Sequence, residues 1–381
     1  MTITEIFQTY SPEYTQIYRD RIPPSHLKAI SDIGACRTEV FGGHVDKCTT
    51  CGKEHIFYHS CYNRSCPQCQ GTHAKKWLDK HSDKLLPVHY FHVVFTLPKE
   101  IGELVRSKPS VYLKILFKSV RICLRQIMAN PKYGGGIPAA LCVLHTWTRT
   151  LLFHPHIHCL IPGVVIYKTP QEKWKFKFTH RKFLAPVKAL SRLFRAVFIR
   201  LVREKFPKLK IPQSVFAKDW VVYSKPTHKN TKSILQYLSQ YIYRCAITNQ
   251  RIVSVKDSKV TFKYQDSKNH QWHQLTLPVM EFIRRYLQHV LPHGFHKVRF
   301  LGFLSPSYKK IYSSLKLELS KLNPDQVSES TPNSPKQEQN PHLRCPYCKC
   351  ATLKTRHHFY YRNGTIIPYR PPPHEKDKRS S

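Results

Sequence analysis

The sequence predicts an α+β protein with a small metal-stapled domain before its core and a partly disordered tail after it. Segments that alternate like strands are interleaved with segments of helical spacing. Six of the 13 cysteines fall within the first 84 residues, and the chain becomes rich in Ser, Pro, Asn, Gln and Glu near its end. A chain of 381 residues is long enough for two or three domains. We divide it into 1–84, 85–305 and 306–381.

The middle of the chain supplies the elements of the predicted core. Apolar runs and period-two alternation predict strands, and apolar positions at three-four spacing predict helices. The expected strands are 90–97, 139–145, 151–161, 220–224 and 260–264. The expected helices are 74–86, 104–130, 183–202, 233–247 and 278–290. A short polar connection predicts a hairpin of the second and third strands.

The charge of the chain indicates its partner. Lys and Arg outnumber Asp and Glu by 62 to 23, for a net charge of +39. A surface this basic favours a polyanion, because each Lys or Arg that meets a phosphate releases condensed counterions. Asp and Glu are missing between Glu103 and Glu172, and again between Asp219 and Asp257. A nuclease built on clustered carboxylates would have to take its ligands from elsewhere.

Membrane and secretory features are not expected. The start of the chain is polar and acidic, which does not resemble a signal peptide. No apolar run reaches the roughly 18 residues that a membrane helix needs. Thirteen cysteines in such a chain favour metal binding over a disulfide framework.

Two Cys-x-x-Cys pairs predict a structural zinc site. Cys48 and Cys51 form one pair, and Cys66 and Cys69 form the other after fourteen intervening residues. Two residues between thiolates let both sulfurs reach one ion about 2.3 Å away, so two pairs would fill a tetrahedral zinc. Several neighbours could replace one of these ligands or bind a second ion; they are Cys36, His44, His55, His59 and Cys61. We expect a DNA-gripping module, with phosphate contacts from Arg64, Lys75 and Lys76.

A third pair lies beyond a linker in the tail. Residues 323–341 have little to bury and are predicted to be disordered. Cys345 and Cys348 follow, with Cys350, and His357 or His358 could complete a knuckle. The spacing fits either a metal site or a remnant without metal.

A histidine cluster lies in the first carboxylate-free stretch. His154, His156 and His158 are two apart, so a strand would place their rings on one face and Ile157 on the other. A hairpin would bring His145 beside His156 and His158 as a third ligand. Three imidazoles leave positions open for phosphate oxygens and water, and they suit manganese or zinc better than magnesium.

Two tyrosines lie one helical turn apart in the second carboxylate-free stretch. Tyr237 and Tyr241 are four residues apart on a predicted helix, with Arg244 close to the same side. Free tyrosine has a pKa near 10, so it becomes a nucleophile only when a nearby cation favours the phenolate. Two amphipathic core tyrosines would produce the same spacing.

Together these residues resemble the two-tyrosine HUH transposases of rolling-circle insertion sequences. The name denotes two histidines around a hydrophobic residue, here His156-Ile157-His158. The resemblance runs from about residue 36 to 304 and includes segments 60–70, 92–98, 144–147, 220–223, 246–249, 281–286 and 291–295. Ser65, and Gly163 with its neighbours, depart from the family's usual pattern.

The resemblance implies a fold, an activity and a site. The fold would be an N-terminal zinc-binding domain and an HUH endonuclease core, an antiparallel sheet flanked by helices. The activity would be nicking and rejoining of single-stranded DNA through a 5′-phosphotyrosine link. By this resemblance His156 and His158 hold a divalent metal, Mg or Mn, with His145 as a third ligand. Tyr237 and Tyr241 are the nucleophiles.

The expected partner is single-stranded DNA at the ends of the element and at its target, contacted by Arg244 among others. Neither a membrane nor a small-molecule substrate is expected, and the predicted location is the bacterial cytoplasm at the nucleoid. Two alternatives remain: a plasmid-type replication initiator or relaxase with the same chemistry, and a non-enzymatic zinc protein that binds nucleic acid.

Overall fold

The computed structural model describes residues 1–69, 85–227, 245–266, 269–322, 344–350, 353–362 and 365–369. The chain forms two compact units. One combines Met1–Gln70 with Ser330–Ser381, and the other is Gly71–Glu329. The predicted division differs from this one, since the C-terminal knuckle belongs with the N-terminal residues. The linker at 323–341 and most of the predicted helices at 74–86 and 233–247 lie outside the described residues.

The helices and strands are numbered here in chain order. The helices are α1 (Ile3–Tyr18), α2 (Pro24–Gly34), α3 (Lys99–Ser107), α4 (Pro109–Ala129), α5 (Val187–Lys205), α6 (Ser214–Ala217), α7 (Val279–Leu287) and α8 (Lys309–Leu322). The strands are β1 (Gly43–Cys48), β2 (Glu54–Tyr58), β3 (Tyr90–Thr96), β4 (Ala139–Trp147), β5 (Phe153–Pro162), β6 (Val164–Lys168), β7 (Trp174–Phe178), β8 (Val222–Thr227), β9 (Ile252–Lys256), β10 (Lys259–Gln265), β11 (Trp272–Pro278), β12 (Val298–Gly302), β13 (Leu353–Arg362) and β14 (Thr365–Tyr369).

The first unit joins two helices to a sheet made from both ends of the chain. A capping box begins α1: the Thr2 hydroxyl accepts a hydrogen bond from the Glu5 backbone, and the Glu5 carboxylate accepts one from the Thr2 backbone. The sheet has the order β14-β13-β1-β2. Strand β13 pairs antiparallel with β1, which places the C-terminal segment in this unit.

The second unit is built on a five-stranded antiparallel sheet with the order β12-β4-β5-β3-β8. The predicted hairpin is confirmed as β4 and β5 at the centre of this sheet. The α+β class with an antiparallel sheet is therefore confirmed. A three-stranded sheet, β9 to β11, and a hairpin of β6 and β7 complete the unit's strands in the described residues.

The two faces of the central sheet carry different side chains. Helices α4 and α5 cover one face, and Phe95, Ile157 and Phe194 belong to the apolar core there. The opposite face holds a second apolar cluster toward one end, where Leu160 meets Leu319 of α8. Because successive strand residues point to opposite faces, His156 and His158 share this second face with Leu160.

Proline accounts for three of the places where the observed elements differ from prediction. The helix expected at 104–130 is two helices, since Lys108 precedes Pro109 and takes a non-helical conformation, with φ −140° and ψ 65°. Helix α5 starts only after Pro186. Strand β8 includes Pro226 instead of ending before it, which an edge strand permits because its outer N–H groups are unpaired. In the described parts of the chain, no helix is long and apolar enough to cross a bilayer.

Candidate metal centre

Three histidines meet on the central hairpin. His145 on β4 is directly opposite His156 on β5, and Val143 is opposite His158. A residue and the diagonal neighbour of its partner lie on the same face of an antiparallel pair, so the three rings converge. The third histidine suggested by the hairpin length therefore does lie beside the other two.

The cluster is compact enough to hold one ion. One ring nitrogen from each of His145, His156 and His158 lies within 4.8 Å of the other two. The ring centroid of His145 is 4.7 Å from that of His158, and the rings of His156 and His158 are 5.0 Å apart. Only 4% of His145 and 9% of His158 are exposed, whereas His156 is half-buried. An ion would therefore be held in a recess that opens near His156.

The backbone orients His156. Its Nδ1 lies 2.7 Å from the carbonyl oxygen of His154, a distance at which the N–H donates a hydrogen bond. This bond fixes the tautomer and leaves Nε2 with the lone pair that a metal needs. Burial lowers the pKa of His156 to about 4, so the neutral ring persists at neutral pH. The ring of His154 stays outside the cluster, although its pattern in sequence suggested the same face.

His92 on β3 orients His158, a role that the sequence analysis did not assign. Its Nε2 lies 2.9 Å from Nδ1 of His158, and the two ring planes are parallel to within 2°. Burial lowers the pKa of His92 to about 4, so its ring is neutral at neutral pH. Its Nε2 can then accept a hydrogen bond from Nδ1–H of His158, the tautomer that leaves Nε2 of His158 for an ion. The sequence did contain a signal for this role, because His92 interrupts the apolar run of the neighbouring strand.

The turn between β4 and β5 is held by hydrogen bonds from residues at and just after the end of α7. The Arg285 guanidinium donates to the carbonyl of Thr150, and Gln288 donates to that of Leu151. His289, whose pKa burial lowers to about 3, also donates to Leu151 and accepts a hydrogen bond from Thr146. These bonds fix the hairpin end beside His145.

The donor set decides which ions fit. Within the described residues the cluster consists of three imidazoles with no carboxylate among them. Imidazole nitrogens suit manganese and zinc, and magnesium is held mainly by oxygens. Three ligands also leave coordination positions for phosphate oxygens. The residues present therefore fit a divalent metal with coordination positions left open.

Several predicted site residues lie outside the described residues. These are the two tyrosines, Tyr237 and Tyr241, and three of the basic residues, Lys75, Lys76 and Arg244. Arg64 is described, and its side chain is exposed. Strand β8, the last described element before these tyrosines, runs from Val222 opposite Phe95 of β3 to Thr227 opposite Tyr90.

The four cysteines expected to share one zinc lie in two separate groups. Cys66 and Cys69 lie with Cys36 and Cys61, and the four sulfurs lie within 4.8 Å of one another. Sγ of Cys69 is 3.6 Å from that of Cys36 and from that of Cys61. Contact with Cys36 and Cys61 lowers the pKa of Cys69, whereas the neighbouring thiols raise the pKa of Cys66. Four thiolates in this volume require a cation, and zinc fits the set.

Cys48 and Cys51 lie instead with Cys345 and Cys348. The prediction of one ion shared by both N-terminal pairs is thereby corrected. A Cys-x-x-Cys pair needs a second pair to complete a site, and sequence proximity does not determine which one it meets. His357 and His358 were candidates to complete the knuckle, but the residues that lie with Cys345 and Cys348 are the two cysteines of the first pair.

A third group in the same unit contains His44, His59 and His358, whose ring nitrogens also lie within 4.8 Å of one another. His44 is paired with His358 across β1 and β13, and its Nε2 is 3.7 Å from the buried Asp46 carboxylate. His357, the neighbour suggested with His358, is paired with Val45 and points to the opposite face.

Comparison with known proteins supports the interpretation of both units. A family model described as "Transposase zinc-binding domain" matches residues 6–97, and one described as "Putative transposase" matches residues 139–311. The protein named "Putative transposase y4qJ" from Sinorhizobium fredii (strain NBRC 101917 / NGR234) is 34% identical over 327 residues, covering 81% of both chains.

A second relative is more distant. It is the "Transposase for insertion sequence element IS801" of Pseudomonas savastanoi pv. phaseolicola, 23% identical over 316 residues, which cover 76% of this chain and 74% of that protein. Among solved structures, a bacterial tRNA(His) guanylyltransferase-like protein in complex with ATP covers 58% of this chain and 98% of that chain. Its identity is 12% and its TM-score 0.19, too low to bear on the fold.

Both relatives are transposases, which favours that prediction over a plasmid-type initiator, a relaxase or a non-enzymatic zinc protein. The zinc-binding match agrees with the cysteine groups of the first unit. The chain belongs to the transposases of rolling-circle insertion sequences, the family of the IS801 transposase, which carry a zinc-binding domain and act on DNA.

Proposed function

We propose that this transposase nicks and rejoins single-stranded DNA through a covalent bond to tyrosine, at a divalent metal held by His145, His156 and His158. The observation that carries the proposal is the convergence of three imidazole nitrogens within 4.8 Å on the central hairpin. Nδ1 of His156 and Nδ1 of His158 each lie within hydrogen-bond distance of a neighbour, an arrangement typical of histidines that bind metal through Nε2. Metal-binding histidines are usually oriented by such hydrogen bonds, so these bonds favour a metal-binding role for the cluster over a role in core packing.

The sequence supplies the nucleophiles. Tyr237 and Tyr241 belong to the segment between Thr227 and Cys245, outside the described residues. In the proposed step the phenol oxygen of one tyrosine attacks the scissile phosphorus. A tyrosine–phosphate ester forms, the bond from phosphorus to the 3′ oxygen breaks, and a free 3′-hydroxyl leaves. The phenol proton passes to solvent, and the departing 3′ oxygen takes up a proton from solvent to become the hydroxyl.

A bound manganese or magnesium ion would polarise the scissile phosphate and stabilise charge that develops on its oxygens. The ester conserves the energy of the broken linkage, so a 3′-hydroxyl can attack it and restore the DNA strand without ATP. The second tyrosine would allow another transfer while the first adduct persists. Single-stranded ends of the insertion sequence are the proposed substrate.

The structural zinc of the first unit would be held by Cys36, Cys61, Cys66 and Cys69. Three of these cysteines are buried and the group is closed, with four thiolates for one tetrahedral ion. A closed site has no open position for substrate, so its role would be to shape the surface that grips DNA. Arg64, Lys75, Lys76 and Arg244 are proposed to contact phosphates.

A covalent-adduct assay tests the catalytic proposal. The purified chain is incubated with 5′-labelled and 3′-labelled single strands from the element ends, with manganese or with chelator. We expect a denaturation-resistant protein–DNA band only with metal, and only with the label on the 3′ side of the nick. Tyr237→Phe combined with Tyr241→Phe should abolish it, and each single variant should identify the tyrosine used first.

Variants of the histidines test the metal site in the same assay. His145→Ala, His156→Ala and His158→Ala should each reduce adduct formation by at least about 100-fold, because each removes a direct ligand. His154→Ala is the matched control, since its ring lies outside the cluster, and it should retain activity within several-fold. DNA retardation without any covalent band, unchanged in the tyrosine variants, would instead identify a binding protein.

A further inference from the structure

We propose that a second zinc ion, bound by Cys48, Cys51, Cys345 and Cys348, joins the two ends of the chain in the first unit. The family match to a zinc-binding domain ends at residue 97, so it does not include the two C-terminal ligands. The site would be distinct from the group around Cys36. It requires nothing of the nicking chemistry proposed above.

The four sulfurs already have the spacing of a tetrahedral thiolate site. Sγ of Cys48 lies 3.6 Å from that of Cys348, and Sγ of Cys51 lies 3.6 Å from that of Cys345. All four lie within 4.8 Å of one another. Zinc–sulfur bonds of about 2.3 Å in a tetrahedron place the sulfurs about 3.8 Å apart. The observed separations match that value and are far longer than the roughly 2.05 Å of a disulfide.

The two Cys-x-x-Cys segments repeat one backbone conformation. In the first, the Cys48 amide donates to the Lys53 carbonyl at 2.9 Å, and the Gly52 amide donates to the Cys48 carbonyl at 2.9 Å. In the second, the Cys345 amide donates to the Cys350 carbonyl at 2.8 Å, and Lys349 donates to Cys345 at 2.8 Å. The sequence offsets are the same in both.

The backbone dihedral angles of the two Cys-x-x-Cys segments also agree. The residue after the second cysteine has a positive φ in each segment, 72° at Gly52 and 63° at Lys349. A lysine in this left-handed region is strained, and strain of this kind persists where the surroundings require it. Two knuckles of one shape, turned toward each other, are the arrangement that surrounds a single ion with four thiolates.

Contacts outside the sulfurs hold the knuckles together. Strand β13 pairs with β1 so that Leu353, a few residues after the second knuckle, lies opposite Cys48. The ring of Tyr347 lies 4.6 Å from that of His55, and the Lys53 ammonium lies 4.1 Å above the Tyr347 ring. The sheet therefore aligns the C-terminal pair with the N-terminal pair in register.

The burial of several of these cysteines has an electrostatic consequence. Cys48 and Cys345 are fully buried, Cys348 is half-buried and Cys51 is exposed at the edge of the group, while the neighbouring Cys350 is exposed and outside the group. Ionised thiols are the form that binds metal, and several buried thiolates in contact are stable only with a cation among them. A site made of four thiolates selects zinc over oxygen-preferring ions.

Binding here would close a chain loop of about 300 residues, since Cys48 and Cys348 are 300 positions apart. The whole second unit is contained in that loop in sequence. The C-terminal segment would then be an integral part of the zinc-binding unit and not a dispensable tail.

The first experiment uses the unaltered, zinc-loaded protein. Each cysteine is alkylated under native conditions, with and without a zinc chelator and with and without a reductant, and read by mass spectrometry. We expect Cys345 and Cys348 to be protected, and to become reactive together with Cys48 and Cys51 when zinc is removed. Cys350 should react at once in every arm, as the internal control.

Two outcomes would overturn the proposal. In one, Cys345 and Cys348 react as fast as Cys350 while zinc is bound and Cys48 and Cys51 are protected. In the other, reductant alone makes the four cysteines reactive and the chelator has no effect on them. That result would identify disulfides. Neither outcome depends on DNA cleavage.

Variants then count the ions. Cys345→Ser combined with Cys348→Ser should lower bound zinc by one per chain, and the sulfur-to-metal absorption of the cobalt-substituted protein should fall by about half. Cys350→Ser is the matched control and should change neither. Cys36→Ser combined with Cys69→Ser should also remove one zinc but leave Cys345 protected from alkylation. Full zinc retention by the first variant would refute the site.

Discussion

Nε2 of His92 lies 2.9 Å from Nδ1 of His158, and the planes of the two imidazoles are nearly parallel. His92 is on β3, the strand that neighbours β5, and its ring does not belong to the three-histidine cluster. The contact selects the tautomer in which Nε2 of His158 carries a lone pair. His92 is therefore a positioning residue for a metal ligand.

We expect His92→Ala to weaken metal binding at the histidine cluster by about 10- to 100-fold, because an unsupported ligand loses its orientation and tautomer. Manganese titration of adduct formation measures the effect as a raised half-saturating concentration, with the rate at saturating metal little changed. His92→Gln, whose amide oxygen can accept the same hydrogen bond, should recover part of the affinity.

His296→Ala replaces an exposed histidine outside the cluster and should leave the titration unchanged. A His92→Ala protein whose manganese dependence matches that of the unaltered chain would show that the hydrogen bond does not orient His158.

Gly163 connects β5 to β6 and lies against the ring of His89. Its amide donates to the His89 carbonyl at 2.7 Å, and a Cβ at this position would overlap the His89 imidazole. We expect Gly163→Ala to lower the free energy of unfolding by about 1–3 kcal/mol, the usual range for overpacking. Urea denaturation followed by tryptophan fluorescence measures it, since all five tryptophans lie in the Gly71–Glu329 unit.

Adding His89→Ala should restore part of the loss from Gly163→Ala, because the obstacle is a side chain. Gly302→Ala provides the contrast: its φ is +62°, and the obstacle is the carbonyl of Pro138, which no side-chain change removes. Equal stability of Gly163→Ala with and without His89→Ala would place the strain elsewhere.

Glu281 links the pH dependence of stability to the hairpin turn. Hydrogen bonds from Arg284 and then from Arg285 lower the pKa of Glu281 from 4.5 to about 2, and Arg285 also reaches the Thr150 carbonyl. Because the folded state depresses this pKa, the stabilisation is complete above about pH 4.5 and is lost as the pH falls toward 2.

Glu281→Gln should therefore cost at most about 1 kcal/mol of unfolding free energy at pH 7, given the partial exposure of the carboxylate, and almost nothing near pH 2. Urea unfolding curves between pH 2 and 7 measure the difference. Glu318→Gln alters an exposed carboxylate in the same unit and is the control. A cost for Glu281→Gln that is constant with pH would exclude an electrostatic origin.

Ile157 lies on β5 between the two proposed metal ligands, His156 and His158, and anchors this strand to the core. Its side chain is 0% exposed and packs in the core beneath the sheet. We expect Ile157→Ala to lower the unfolding free energy by about 2–5 kcal/mol and Ile157→Val by about 0.5–1.5 kcal/mol, according to the cavity left. Val253→Ala, at a position 49% exposed, should cost under about 0.5 kcal/mol. Similar costs at both positions would contradict the packing.

The sequence by itself determined the antiparallel hairpin and the common face of His156 and His158. Both follow from local rules, since strand residues alternate between faces and a short connection returns the chain beside itself. The same rules suggested that His145 would lie beside the pair, and the register of the folded hairpin sets it opposite His156. The roles of Tyr237 and Tyr241 remain predictions from sequence spacing and family resemblance.

Only the tertiary structure decided which distant segments meet. Cys48 and Cys51 lie beside two cysteines from the far end of the chain. His158 lies within hydrogen-bond distance of a histidine from a neighbouring strand. A Cys-x-x-Cys pair has the same local conformation whichever partner it finds, and sheet order is set by packing between elements far apart in the chain. Local spacing therefore identifies donors, but the contacts made on folding select the sets in which they bind.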